Sequence, residues 1–130
     1  MIRTSAAGWN LPPPWYVVQA AIEVHHQLGP GFLEPVYQEA LCVELGLRVP
    51  YQQQVPIEVE YKGRRVGQAR LDLLVGGRLV VELKAVDSLL PIHVAQVISY
   101  LKTTRQRLGL LVNFNVSFLQ KGLKRVILTQ

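Results

Sequence analysis

Arg70-Leu71-Asp72-Leu73-Leu74-Val75-Gly76-Gly77-Arg78-Leu79-Val80-Val81-Glu82-Leu83-Lys84 decides the reading of this chain. Apolar residues dominate both sides of a Gly-Gly turn, as in a hairpin buried within a sheet. Three charged side chains, Asp72, Glu82 and Lys84, sit inside that apolar setting. Glu82 and Lys84 are two apart, so on a strand they share a face. The turn decides whether Asp72 joins them. A two-residue loop pairs Val75 with Arg78 and sends Asp72 and Glu82 to opposite faces. One extra loop residue, with a glycine in the left-handed region, sets Asp72 directly opposite Glu82. The bulged register is the expected one. Two adjacent carboxylates repel unless a proton or cation neutralises them. Oxygen ligands of this kind suit Mg²⁺ or Mn²⁺. The plainer alternative is an ion pair of Lys84 with either acid at a sheet end.

The alternation extends outward from this hairpin. Gln54 to Tyr61 alternates Val55, Ile57, Val59 and Tyr61 with polar partners, which predicts a strand. Lys62-Gly63 marks a turn into a strand over Val66–Val75, and Arg78–Ala85 forms the next. Beyond Pro91 the period becomes helical, with Val94, Val97, Ile98 and Leu101 on one stripe. Leu108–Phe114 is a continuous apolar run expected of a strand covered on both faces, and Leu123–Leu128 a last short strand. Upstream, helices are predicted over Trp15–Leu28 and Leu33–Leu45, separated by Gly29-Pro30-Gly31. The order α-α-β-β-β-α-β-β predicts an α/β (α+β) fold. Residues 1–11 read as a loose N-terminal arm and 12–130 as a single domain, within the size one core can support.

Composition narrows the function classes. Hydrophobic residues make up 49 % of the 130 and charged residues 18 %, which excludes a disordered chain. The lone cysteine, Cys42, rules out an internal disulfide and reads as a buried thiol in a reducing cytoplasm. MIRTSAAGWNLPPPW lacks the apolar core of a signal peptide, and no apolar run is long enough for a membrane span. The net charge of +5 is unevenly spread: every acidic residue lies at or before Asp87. Lys102, Arg105, Arg107, Lys121, Lys124 and Arg125 follow without an acid among them, so a polyanion is the expected partner. Contacts of that kind would be to nucleic-acid backbone, salt-sensitive and tolerant of sequence. Gly29-Pro30-Gly31 is a turn and not a phosphate-cradling loop, which counts against a small-molecule kinase or ATPase.

Further polar residues stand at suggestive positions. Glu34 opens the second helix, where an acid favours the macrodipole, and Tyr37 follows one turn on. His93, Gln96 and Tyr100 form a polar stripe beside the apolar face of the third helix.

Together these residues resemble a known pattern. Gly31-Phe32-Leu33-Glu34-Pro35-Val36-Tyr37 reads G-x-x-E-x-x-Y, and Gln54-Val55-Pro56, Asp72-Leu73-Leu74-Val75 and Val81-Glu82-Leu83-Lys84-Ala85 follow in order. Ala95-Gln96, Tyr100-Leu101 and Leu110-Leu111-Val112-Asn113-Phe114 complete the series. The chain is similar to the bacterial GxxExxY family of the PD-(D/E)XK nuclease superfamily, with Leu71 standing where that name has proline. The resemblance implies a restriction-endonuclease-like αβββαβ core, a central mixed sheet flanked by helices. It implies metal-binding carboxylates at Glu34, Asp72 and Glu82, a catalytic Lys84, and Gln96 as the helix residue of the site. His93, Tyr100 and Tyr37 would support it. The activity implied is Mg²⁺- or Mn²⁺-dependent phosphodiester hydrolysis, on DNA more than RNA, by a possible homodimer. The alternative is a non-catalytic nucleic-acid-binding or protein-interaction module on the same fold.

Overall fold

The structure, a computed structural model, describes residues 14–129. The expected arm over 1–11, and Trp9 within it, lie outside the described residues. The chain runs α1 (Pro14–Leu28), α2 (Glu34–Gly46), β1 (Tyr51–Tyr61), β2 (Arg64–Val75), β3 (Leu79–Lys84), α3 (Pro91–Thr104), β4 (Leu108–Asn113) and β5 (Leu123–Ile127). A 3-10 turn, Leu119–Gly122, precedes β5. The strands lie side by side in sequence order. All neighbours are antiparallel except β3 and β4, which are parallel and joined across α3. This is the mixed, helix-flanked sheet that the resemblance implies.

Two apolar clusters hold the layers together. Leu79, Val81 and Leu83 of β3 point to α1 and α2, where they meet Val17, Val24, Leu41 and Leu45. Val80 points the other way, to Val97 and Leu101 of α3. Leu110 and Val112 join the first cluster and Leu111 the second, so β4 is buried on both faces. Gly109 permits this: a β-carbon there would stand 2.7 Å from Val97 Cγ1. Val17, Ala20, Ala21 and Val24 are buried, so the apolar side of α1 covers the protein's own core. Cys42 is a buried free thiol, as expected.

The element boundaries differ from expectation mainly in β1 and β2. Both run longer, starting at Tyr51 and Arg64. Gln52-Gln53 and Arg64-Arg65 have no apolar alternation to announce a strand, yet each pairs with its neighbour. Backbone pairing, not side-chain burial, makes them strands.

Candidate active site at the open end of the sheet

The Gly76-Gly77 turn has the extra residue. Gly76 (φ 62°) and Gly77 (φ 73°) both take left-handed backbone. Arg78 N–H closes back on Val75 O at 3.2 Å, and Val75 pairs with Leu79. The ladder continues through Leu74–Val80 and Leu73–Val81, which sets Asp72 opposite Glu82. There main-chain pairing stops and the carboxylates take over. Asp72 N–H donates to Glu82 Oε2, and Leu83 N–H donates to Asp72 Oδ2, each at 2.8 Å. The strands fork, and the two side chains fill the fork.

Asp72 is also where β2 changes face. Leu73 and Val75 lie in the cluster under α1 and α2, but Leu71, two residues away, lies in the cluster under α3. Strand alternation alone would keep all three together. Opposite Asp72, between the pairs Gln53–Leu73 and Val55–Leu71, stands Gln54 with φ 52°. A left-handed non-glycine residue inside a strand is strained. Its side chain is anchored: Gln54 Nε2 donates to Gln38 Oε1 at 2.8 Å, and Gln38 Nε2 to Gln53 Oε1 at 3.3 Å. The crossover turns Asp72 towards a cleft of about 600 Å³, lined by Glu34, Pro35, Gln38, Glu39, Gln54 and Asp72. Gln38 carried no signal of a role in the sequence, and Gln54 stood only as the first residue of the quoted Gln54-Val55-Pro56.

The Gly31–Tyr37 segment separates into structural and chemical parts. Gly31 (φ 112°) turns the chain into α2. Tyr37 is fully buried and stacked on Phe114, with ring centroids 4.5 Å apart. Its hydroxyl donates to Gly29 O at 2.6 Å and accepts Phe32 N–H at 3.1 Å. It therefore clasps the α1–α2 connection and does not reach the carboxylates. Glu34, the first residue of α2, does face the cleft, and it raises the pKa of Glu82 by charge.

From the α3 side, Lys84 Nζ donates to Gln96 Oε1 at 3.0 Å, and Gln96 Nε2 donates to Tyr100 Oη at 3.1 Å. His93 points elsewhere: its Nδ1 accepts Leu90 N–H at 2.9 Å and caps α3. Asn113, buried at the end of β4, was not foreseen as a site support. It brackets Val86 by accepting its N–H at 3.0 Å and donating to its carbonyl at 2.9 Å. That latch fixes the exit of β3 just beyond Lys84.

The electrostatics are severe. Glu82 is 3 % exposed. Burial first, then the Asp72 charge, pushes its pKa up to about 8. Burial also raises Asp72, against the Leu83 amide and Lys84, which lower it. Glu34 is raised by burial and by Asp72, and Tyr100 by burial and by Glu82. Among the described residues no cation lies within 4.0 Å of either Asp72 or Glu82; the ion pairs there are Arg48–Glu44 and Arg65–Glu58. The plain ion-pair reading of Lys84 is not what the structure holds.

A family model described as the PD-(D/E)XK nuclease superfamily matches residues 15–126. The chain belongs to that superfamily. No curated protein and no solved structure matches it. The span matched by the PD-(D/E)XK model holds Glu34, Asp72, Glu82, Lys84 and Gln96 together. In this PD-(D/E)XK protein the six C-terminal basic residues do not form one patch. Lys102, Arg105 and Arg107 lie toward the other end of the sheet, where Arg107 precedes the Leu108–Leu79 pair and Gln106 Nε2 donates to Gly77 O at 3.2 Å. Lys121 sits in the 3-10 turn, and Arg125 alternates away from Lys124 on β5. Lys124 alone shares the row of the site, running Asp72, Glu82, Leu111, Lys124 across the sheet. It stands two strands, about 10 Å, from Glu82. No helix among the described residues is long and apolar enough to cross a membrane.

Proposed function

We propose that the chain is a divalent-metal-dependent nuclease that hydrolyses phosphodiester bonds, DNA in preference to RNA. The observation that carries this is the Asp72–Glu82 pair, Glu82 buried and Asp72 half-buried, with no cation within 4.0 Å among the described residues, while Lys84 is held off on Gln96. Each carboxylate gives one oxygen to a backbone amide, leaving its second for another ligand. Among the described residues no three acidic, imidazole or thiol side chains converge closely enough to enclose an ion. Mg²⁺ or Mn²⁺ is commonly bound by one or two carboxylates and keeps several waters, so the pair alone could hold it. Asp72 and Glu82 would hold the ion directly, and Glu34 would act across the cleft through water. The ion would supply an acidified water and charge stabilisation on the phosphate.

The chain's own groups do the rest. Gln96, itself held by Tyr100, fixes the Lys84 ammonium by one of its three protons. The remaining two are available to orient the attacking water or to meet negative charge growing on the phosphate. Asn113 holds the backbone after Lys84 so that the strand end does not drift. Cytoplasmic location, membership of the GxxExxY branch and action as a homodimer, which would place two sites on two strands, belong to the same proposal.

Titration of Mg²⁺ and Mn²⁺ into wild type and Glu82→Ala, followed by thermal melting and by cleavage of plasmid and single-stranded DNA and RNA, tests it. Ion binding at a hundred times Kd stabilises by about 2.7 kcal/mol, on the order of 10 °C for a domain of this size. Stabilisation and cleavage in wild type, both lost in Glu82→Ala, support the reading. No metal response in wild type overturns it and favours the binding-module alternative.

A further inference from the structure

β1 and β2 continue far beyond the sheet they belong to. β2 pairs with β3 only from Leu73 to Val75, yet it pairs with β1 along its length to the Tyr61–Arg64 pair. Residues 64–71 therefore run on past Asp72 as a two-stranded ribbon, roughly 25 Å long. Val55, Ile57 and Leu71 root it on the α3 cluster. Beyond Ile57 neither core cluster includes any residue of the ribbon, and residues 60–68 are exposed. A register shift at Val59/Glu60 adds twist near the tip. An isolated ribbon of this kind is costly to keep ordered.

Its charges are sorted by strand. The acids Glu58 and Glu60 lie on β1, while Lys62 in the turn and Arg64, Arg65 and Arg70 on β2 form the side that leads into Asp72. Charges placed only to protect a sheet edge need no such sorting. Arg65 is paired with Glu58; Lys62, Arg64 and Arg70 have no acid within 4.0 Å among the described residues. At the tip Tyr61, 64 % exposed, holds its ring out under Lys62, whose ammonium is 5.4 Å from the centroid.

We infer that the β1–β2 ribbon is a nucleic-acid clamp that grips backbone phosphates away from the site of cleavage. The inference rests on the nuclease reading for the nature of the ligand and adds a second contact region to it. With about 3.4 Å between phosphates along a strand, a 25 Å ribbon reaches roughly seven nucleotides from Asp72. The unpaired cations would supply the contacts, and Tyr61 a stacking face if a base is splayed.

The test uses full-length Glu82→Gln, which is not expected to cut, and reads anisotropy of 8- and 30-base-pair duplexes across a salt series. Lys62→Gln with Arg64→Gln is compared with Arg48→Gln with Arg78→Gln, exposed arginines near the other end of the sheet. The ribbon double should weaken the 30-base-pair duplex at least fivefold at 100 mM salt and lower the log–log salt slope by about 2. Centred on Asp72, the 8-base-pair duplex extends only about 14 Å each way and stops short of the tip, so its loss should be smaller than that of the 30-base-pair duplex. Equal losses in both doubles, or none in the ribbon double, overturn the clamp. So does a changed sedimentation coefficient with unchanged Kd, which would make the ribbon a protein interface. Wild type that binds with a steep slope but cuts nothing overturns the nuclease reading while leaving the clamp decided by the doubles. Absence of salt-dependent binding in the parent overturns both.

Discussion

The two halves of the β2–β3 hairpin are a few residues apart and obey different rules. From Leu73 to Val75 the strands are joined by main chain, and Leu73, Val75, Leu79 and Val81 are all buried in one apolar cluster. One pair further, at Asp72 and Glu82, side-chain oxygens replace carbonyls as the acceptors and two acids occupy a buried fork. The first half stabilises the fold. The second costs stability, because carboxylates lose hydration without gaining a cation. A chain keeps such a feature at the end of its central hairpin for what it binds, not for what it holds together.

The comparison breaks most visibly in activity. Asp72→Ala or Glu82→Ala should lower cleavage by at least 10³, about 4 kcal/mol of lost barrier reduction. Lys84→Ala should lower it by about 10². Leu73→Ala, in the other half, should cost about 3 kcal/mol of folding stability. A plasmid-cleavage assay beside thermal melts separates the two classes. Activity retained in Glu82→Ala would remove the carboxylate pair from the mechanism.

Next in size is the pH dependence of the metal-free protein. Glu82 sits near 8 when folded and near 4.5 as a free side chain. Below pH 4.5 both states are protonated and the group has no effect on folding. Between 4.5 and 8 the unfolded chain releases the proton and the folded one keeps it, so stability falls as pH rises. At pH 7 the deficit is about 3 kcal/mol. Glu82→Gln should therefore stabilise the metal-free protein at pH 7–8 and change little at pH 4. Urea melts at both pH values in EDTA check this; a destabilised Glu82→Gln at pH 7 would contradict it.

Much of this was legible in the sequence, and for identifiable reasons. Period-two alternation and the Gly-Gly turn carried the hairpin register, because one loop residue decides the face of every side chain beyond it. Glu34, Asp72, Glu82, Lys84 and Gln96 all lie toward one end of the sheet. Tyr37 and His93 were read as site supports but serve as a loop clasp and a helix cap. A side chain with a hydroxyl or imidazole at helical spacing cannot announce whether backbone or ligand is its partner. The C-terminal basic run looked like one patch because charge order in a sequence ignores which end of the sheet each residue reaches. The ribbon was missed for the opposite reason: its cations are interleaved with acids in sequence and sorted only by strand pairing.

Tyr37 and Glu34 offer a smaller test of the same division, within one motif. Tyr37→Phe removes the hydroxyl that serves Gly29 O and Phe32 N–H, and should cost about 1–2 kcal/mol of stability with cleavage at 20 °C within twofold of wild type. Glu34→Gln, which removes a half-buried carboxyl raised by burial and by Asp72, should melt no lower than wild type and lose metal affinity instead. Reversed phenotypes would mean that the clasp is chemical and the acid structural.

The finest distinction lies at Gln54, where the two kinds of hairpin meet. Its left-handed backbone, at φ 52°, stores about 1 kcal/mol that glycine would not. Its amide donates to Gln38, and that bond is worth about 1 kcal/mol. Gln54→Gly releases the strain and loses the bond, so its melting midpoint should stay close to wild type. Gln54→Ala keeps the strain and loses the bond, so it should be less stable by about 1 kcal/mol. If the residue exists to aim Asp72 into the cleft, both variants lose cleavage by roughly tenfold, the order set by small misplacement of a reacting group. Two variants equal in activity loss but unequal in stability would show that the anchor serves the site and the strain is its cost. A Gln54→Gly chain with full activity would show instead that the crossover needs only the backbone turn.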